Sequence, residues 1–87
     1  MADQIEKIRK RVLFRSCHCG MKENDILLGG FAEKHVADLD EQHLDDFERL
    51  MEESDIEVLK WVIGREPTPE AFDTPLMGLI KKFNKTL

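Results

Sequence analysis

The chain has 87 residues, too few for two layered cores, so one core spanning a single domain, residues 1–87, is expected. Hydrophobic residues make up 41% and charged residues 36%, enough apolar material for a core without metal or disulfide, while 5 Gly and 3 Pro argue against disorder. The net charge of −5 speaks against a nucleic-acid surface, and no apolar run approaches the ~20 residues of a membrane span.

A first helix is predicted from near Asp3, a candidate N-cap, to between Arg15 and Cys19, because Ile5, Ile8, Val12 and Leu13 fall close to one helical stripe. Gly20 then gives the backbone freedom to change direction. Apolar residues resume at Leu27, Leu28, Phe31 and Ala32, predicting a second helix to about Val36. Gly29 and Gly30 lie inside this pattern, each costing about 1 kcal/mol of helix propensity relative to Ala, so either the helix bends there or another helix approaches closely. Asp40 is the expected N-cap of a third helix with Leu44, Phe47, Leu50 and Met51 on one face. Ser54 and Glu57 have capping-box spacing and open a fourth, which carries Ile56, Leu59, Val62 and Ile63 and ends at Gly64 in a left-handed cap. Pro67-Thr68-Pro69 enforces an extended connector, and Thr74-Pro75 has the cap-then-proline order that begins a last helix with Leu76, Leu79, Ile80 and Phe83 inward. With no period-two pattern or internal repeat, the fold class is all-α, a single-domain bundle of about five short helices.

Charge is distributed unevenly along this chain. Lys7, Arg9, Lys10, Arg11, Arg15 and Lys22 crowd the first quarter, whereas residues 38–57 are strongly acidic, which predicts a dipolar molecule. The acidic middle is read first as a solvated face. Cys17 and Cys19 are separated by one residue, a spacing that makes a disulfide between them strained, and this fits a reducing compartment. The first residues lack a secretory apolar stretch, and Asp3 and Glu6 interrupt any likeness to a transit peptide, so a bacterial cytoplasmic location is expected over a mitochondrial matrix one.

Cys17-His18-Cys19 combines the preferred zinc ligands, but a closed site needs four, and His35 and His43 lie in other predicted helices without ligand spacing. A nucleophilic cysteine needs a base and an orienting group, and adjacency of His18 in sequence supplies neither. No phosphate-cradling loop, Ser/His/Asp signature or zinc-protease motif is present, so no catalytic and no metal-binding residue is assigned. Gly20-Met21-Lys22-Glu23 has more to offer. With Gly20 as the cap of the second helix, Glu23 falls at N3, where its carboxylate can serve the helix end. Alternatively, Gly20 lets a partner's backbone approach while Glu23, Arg15 and Lys22 supply polar contacts. Trp61 is either a core-edge aromatic or an interface anchor.

The string RSCHCGMKENDILLGGF, Arg15 to Phe31, resembles the succinate dehydrogenase assembly factor family, small flavinylation factors whose hallmark is Arg-Gly-x-x-Glu. FERLMEESDIEVLKWVIGRE, Phe47 to Glu66, and the closing apolar helix through Phe83 extend the resemblance over nearly the whole chain. It implies a five-helix protein without enzyme activity of its own that assists covalent attachment of FAD to a histidine of the flavoprotein subunit of succinate dehydrogenase, and in some bacteria of fumarate reductase. It implies a monomer that binds no cofactor stably, acts on a partner carrying FAD and does not insert into membrane. The partner-binding residues implied are Gly20 and Glu23 at the hallmark positions; Arg15, His18, Cys19, Met21, Lys22 and Asp25, which flank them in sequence, and Trp61 are the further partner-binding candidates. Cys19 stands where the family has the hallmark Arg, and His18 where another basic residue is common; a thiol cannot replace a guanidinium, and Arg15 or Lys22 is the candidate to restore the charge. A regulatory interaction protein such as an antitoxin is the alternative from another class.

Overall fold

The computed structural model of the chain describes residues 2–18 and 21–85, with side chains from Gln4 onward. Helix α1 (Ala2–Cys17) starts before the expected cap, so Asp3 lies inside the first turn. Its inner stripe is the predicted one: Val12 is fully buried, and Ile5, Ile8 and Leu13 are partly buried against the core. Ser16 is buried too, and its hydroxyl donates to the Leu13 carbonyl at 3.0 Å, which satisfies a polar group within its own helix.

Helix α2 (residues 22–35) is built from an α turn at Lys22–Asn24, a π turn over Asp25–Gly29 and an α segment at Gly30–His35. Both expectations for the glycine pair have a counterpart here. The helix leaves α geometry over the π turn, and α1 crosses it tightly: a Cβ on Gly29 would stand 3.0 Å from the Ser16 carbonyl oxygen and 3.2 Å from Cys17 Cα. The Leu27 carbonyl within this turn accepts a bond from Asn84 Nδ2 at 3.3 Å, tying the turn to the last helix.

A 3-10 turn at Val36–Asp38 leads to α3 (Glu41–Met51), capped as predicted by Asp40, whose carboxylate accepts from the His43 N–H at 2.9 Å. Leu44, Phe47 and Leu50 are buried. Helix α4 (Asp55–Ile63) has Ser54 at its N-cap position, but the hydroxyl makes no capping bond and Glu57 approaches Lys60 at 3.7 Å, so the capping box is not formed. Gly64 does take the left-handed conformation, with φ of 81°, and the Arg65 N–H donates to the Lys60 carbonyl at 2.9 Å. The inner face of α4 is Val58, Trp61 and Val62, while Ile56 and Ile63 are exposed. Six of the nine residues of this helix are apolar, so spacing leaves its rotation open; the large indole, stacked on Phe72 at 5.4 Å, decides it.

The extended connector at 67–69 is present and is followed by a 3-10 turn, Glu70–Phe72, that delivers Phe72 to Trp61. Helix α5 (Pro75–Lys85) starts as predicted, with Thr74 Oγ1 accepting from the Met77 N–H at 3.2 Å. Met77 takes the buried place expected of Leu79, beside Leu76 and Ile80. Leu79 instead lines an open groove with Phe31, His35 and Phe83. In the assembled bundle α1 lies on the π turn of α2 and on α3, and α5 lies on α4 and α3, all sharing one apolar core; no strand occurs among the described residues.

Candidate functional site

The segment Arg15–Glu23 runs from the last turn of α1 into the first turn of α2. Cys19 and Gly20 lie outside the described residues. Beyond them, Met21 is the N-cap of α2, with extended φ/ψ of −114° and 136°, and its carbonyl accepts from the Asp25 N–H at 3.1 Å. Glu23 is therefore at N2, not N3, and the expected Gly20 cap is shifted by one residue. The reason lies in Asn24. This residue takes N3, is buried, and donates from Nδ2 to the Asp55 carbonyl at 3.0 Å, which pins the start of α2 to the start of α4. Lys22 and Glu23 are exposed at the first two helical positions, where a carboxylate is favoured by the helix N-terminus; Met21 and Asp25 are half-buried.

On the α1 side, Arg15 is half-buried and reaches toward α3, its guanidinium 3.7 Å from the Glu48 carboxylate. Arg11 grips the same carboxylate with two bonds, of 2.6 and 2.8 Å. The Arg11 bonds hold Glu48 below the usual carboxylate range, against the opposing effect of its partial burial. His18 Nδ1 lies 2.7 Å from the Phe14 carbonyl, a bond that requires the proton on Nδ1, and its ring stacks on Phe14 with centroids 4.2 Å apart. Phe14 is 64% exposed and Ile26, in the π turn, is 57% exposed. Sequence reasoning passed over both. The signal for Phe14 was an aromatic residue on the charged side of the α1 stripe; Ile26 was hidden in the run Ile26-Leu27-Leu28, where period is ambiguous.

Cys17 is half-buried with Sγ 3.7 Å from a Glu33 carboxylate oxygen. Burial first, and the Glu33 charge second, push its thiol pKa up, which disfavours the thiolate needed for attack or metal binding. His43 is engaged with Asp40 at 2.6 Å, and among the described residues no three His, Cys, Asp or Glu side chains come together as a metal site. Trp61 is 6% exposed and stacked on Phe72, so its ring belongs to the core and the anchor role is corrected to a packing one.

The bend and its flanks therefore expose the Phe14–His18 pair, Ile26 and an accessible Lys22-Glu23 corner, on arms tied to α3 and α4. Residues 10–84, which contain all of it, match the sequence model of the family described as flavinator of succinate dehydrogenase. The chain belongs to that family. The FAD assembly factor SdhE of Acetobacter pasteurianus is 39% identical over 75 residues, covering 86% of this flavinator-family chain and 69% of the relative. A mitochondrial succinate dehydrogenase assembly factor 2 of Dictyostelium discoideum is 37% identical over 78 residues, covering 90% of this chain and 55% of the relative. The mitochondrial assembly factor 2-B of Drosophila melanogaster is 33% identical over 85 residues, covering 95% and 54%. The chain thus spans little more than half the length of these two mitochondrial relatives. Among its described residues no helix is long and apolar enough to cross a membrane.

Proposed function

We propose that this chain is an assembly factor that promotes covalent attachment of FAD to the flavoprotein subunit of succinate dehydrogenase by binding and ordering the apo-subunit through the bend. The observation that carries this reading is the match to the flavinator family over residues 10–84, with the hallmark segment inside it. A relative named FAD assembly factor, 39% identical, supports it. The chain acts as a chaperone and not as an enzyme. FAD and its acceptor histidine both belong to the partner, as substrates of a reaction the partner completes. Holding a domain arrangement in which the two meet raises their effective concentration and shifts the subunit toward its reactive conformation.

In this reading Gly20 permits close approach and the exposed Glu23 contacts the partner at the N-terminus of α2, with Lys22 beside it. No flavin is retained by the chain itself, the working form is a monomer in the bacterial cytoplasm, and fumarate reductase is a second client where present. Co-expression with the apo-subunit in cells lacking their own factor, read by in-gel flavin fluorescence, tests the proposal. Covalent flavin above the empty-vector level is expected; no increase overturns it, and a toxin in place of the flavoprotein in native pull-downs would favour the antitoxin alternative. Gly20→Arg should abolish the gain with helical circular dichroism intact, and a fully active Gly20→Arg would remove the role given to the bend.

A further inference from the structure

The solvent face of α1 differs from the rest of the surface. Lys7 and Lys10 lie seven and four residues before Phe14 and His18 four residues after it, so all four share one helical face, and all four are exposed. Single exposed apolar residues are ordinary, but this one is ordered. Phe14 is 64% exposed, yet its ring is stacked on His18 at an interplanar angle of 20°, and the imidazole is itself fixed by the Phe14 carbonyl at 2.7 Å. A rigid aromatic surface loses little side-chain entropy when it is buried by a partner. The face is also basic on a molecule of net charge −5. It therefore fits a surface that is apolar at its centre and acidic at its rim, the arrangement in which aromatic anchors and peripheral charges divide affinity and association rate.

We propose that Phe14, presented by the His18 stack, is the anchor by which α1 docks into a carboxylate-rimmed apolar pocket of the flavoprotein subunit, with Lys7 and Lys10 facing the rim. The inference rests on the assembly-factor reading and extends its contact surface from the bend back along α1. A second copy of the chain is the less fitting occupant: α1 runs directly into the hallmark segment, and the Glu48 carboxylate of the acidic middle is already held by Arg11 and Arg15.

The test is calorimetric titration of the full chain into the purified apo flavoprotein subunit of the same organism, with melting curves of each variant. Phe14→Ala should weaken binding about thirtyfold or more, the loss typical of a central anchor. Phe14→Trp should stay within about threefold of the parent, since Trp retains the flat stack. Lys7→Glu with Lys10→Glu should weaken binding at low salt and flatten the dependence of affinity on salt. All variants should melt like the parent, because the substituted side chains project from the fold. If the parent binds and Phe14→Ala binds equally well, the anchor is overturned while the assembly-factor reading stands; if the parent itself fails to bind, both fall. A loss of affinity that parallels a loss of melting temperature, or a Phe14-dependent dimer of the chain in light scattering, also overturns it.

Discussion

Replacing Gly29 with Ala and, separately, Gly30 with Ala makes the same chemical change at adjacent residues with opposite expected effects. Both glycines have right-handed helical geometry, φ/ψ of −65°/−42° and −60°/−43°, so the backbone gain from Ala, about 1 kcal/mol, is common to the two. At Gly30 the new Cβ would meet only Phe83 Cε2, at 3.7 Å, an ordinary contact, and the gain is kept. At Gly29 it would stand 3.0 Å from the Ser16 carbonyl oxygen and 3.2 Å from Cys17 Cα, both main-chain atoms of α1 that no rotamer change can move aside. The crossing must open by a few tenths of an ångström, and such overpacking costs about 1–3 kcal/mol. Gly30→Ala is therefore expected to be more stable than the parent by about 1 kcal/mol and Gly29→Ala less stable by about 0–2 kcal/mol. At roughly 4–8 °C per kcal/mol for a domain of this size, the pair separates clearly in thermal melts. Urea unfolding followed by helical circular dichroism gives the free energies. Equal stability of the two variants, or a more stable Gly29→Ala, would refute the tight crossing of α1 and α2.

Two helix starts with similar sequence credentials should also part company. Thr74→Ala removes a formed capping bond and should cost about 1 kcal/mol, whereas Ser54→Ala removes a hydroxyl that caps nothing and should cost a few tenths at most; urea titrations decide, and equal losses would contradict the caps described. Glu48 has its folded pKa depressed by the Arg11 bonds, so the stability it contributes is present above the ordinary carboxylate range and is lost as pH falls through the folded value. The parent should exceed Glu48→Gln in unfolding free energy at pH 7 and the gap should close in acid; a gap that persists there would reverse the assignment. Cys17, in a Cys19→Ser background, should be alkylated by iodoacetamide more slowly when folded than in urea, and Glu33→Gln should speed it; mass spectrometry of timed aliquots checks both.

Element types and order were most legible where a helix carries an independent start or stop: Asp40, Gly64 and Thr74-Pro75 do in the structure what their local chemistry dictates. Rotation about the helix axis was legible only where apolar residues are sparse. On α1 and α3 few stripes are available and the predicted one is buried, while α4 and α5 have apolar residues to spare, so neighbours such as Phe72 choose which ones turn inward. Burial of Trp61 follows from that choice and was undecided in the sequence. The π turn has no period of its own to detect, and Ile26 lies exposed within it, inside an apolar run. Asn24 gave no signal because its partner is a main-chain carbonyl 31 positions away.

These long-range ties bear on the residue that departs from the family hallmark. The arms of the bend are fixed from outside it: the last turn of α1 by Gly29 at the crossing and by Arg11 and Arg15 on Glu48, and the first turn of α2 by Asn24 on Asp55. Cys19, the thiol that stands in place of the hallmark guanidinium, lies outside the described residues. Arg15 is an unsuitable substitute for the missing charge because its guanidinium leans back toward α3, 3.7 Å from Glu48. Lys22 is exposed at the first position of α2, next to Glu23, and we propose it as the cation that acts in its stead. Lys22→Ala should therefore lower covalent flavin yield more than Arg15→Ala in the co-expression assay, at matched expression and melting temperature. The reverse order would show that the bend draws its charge from α1 and not from α2.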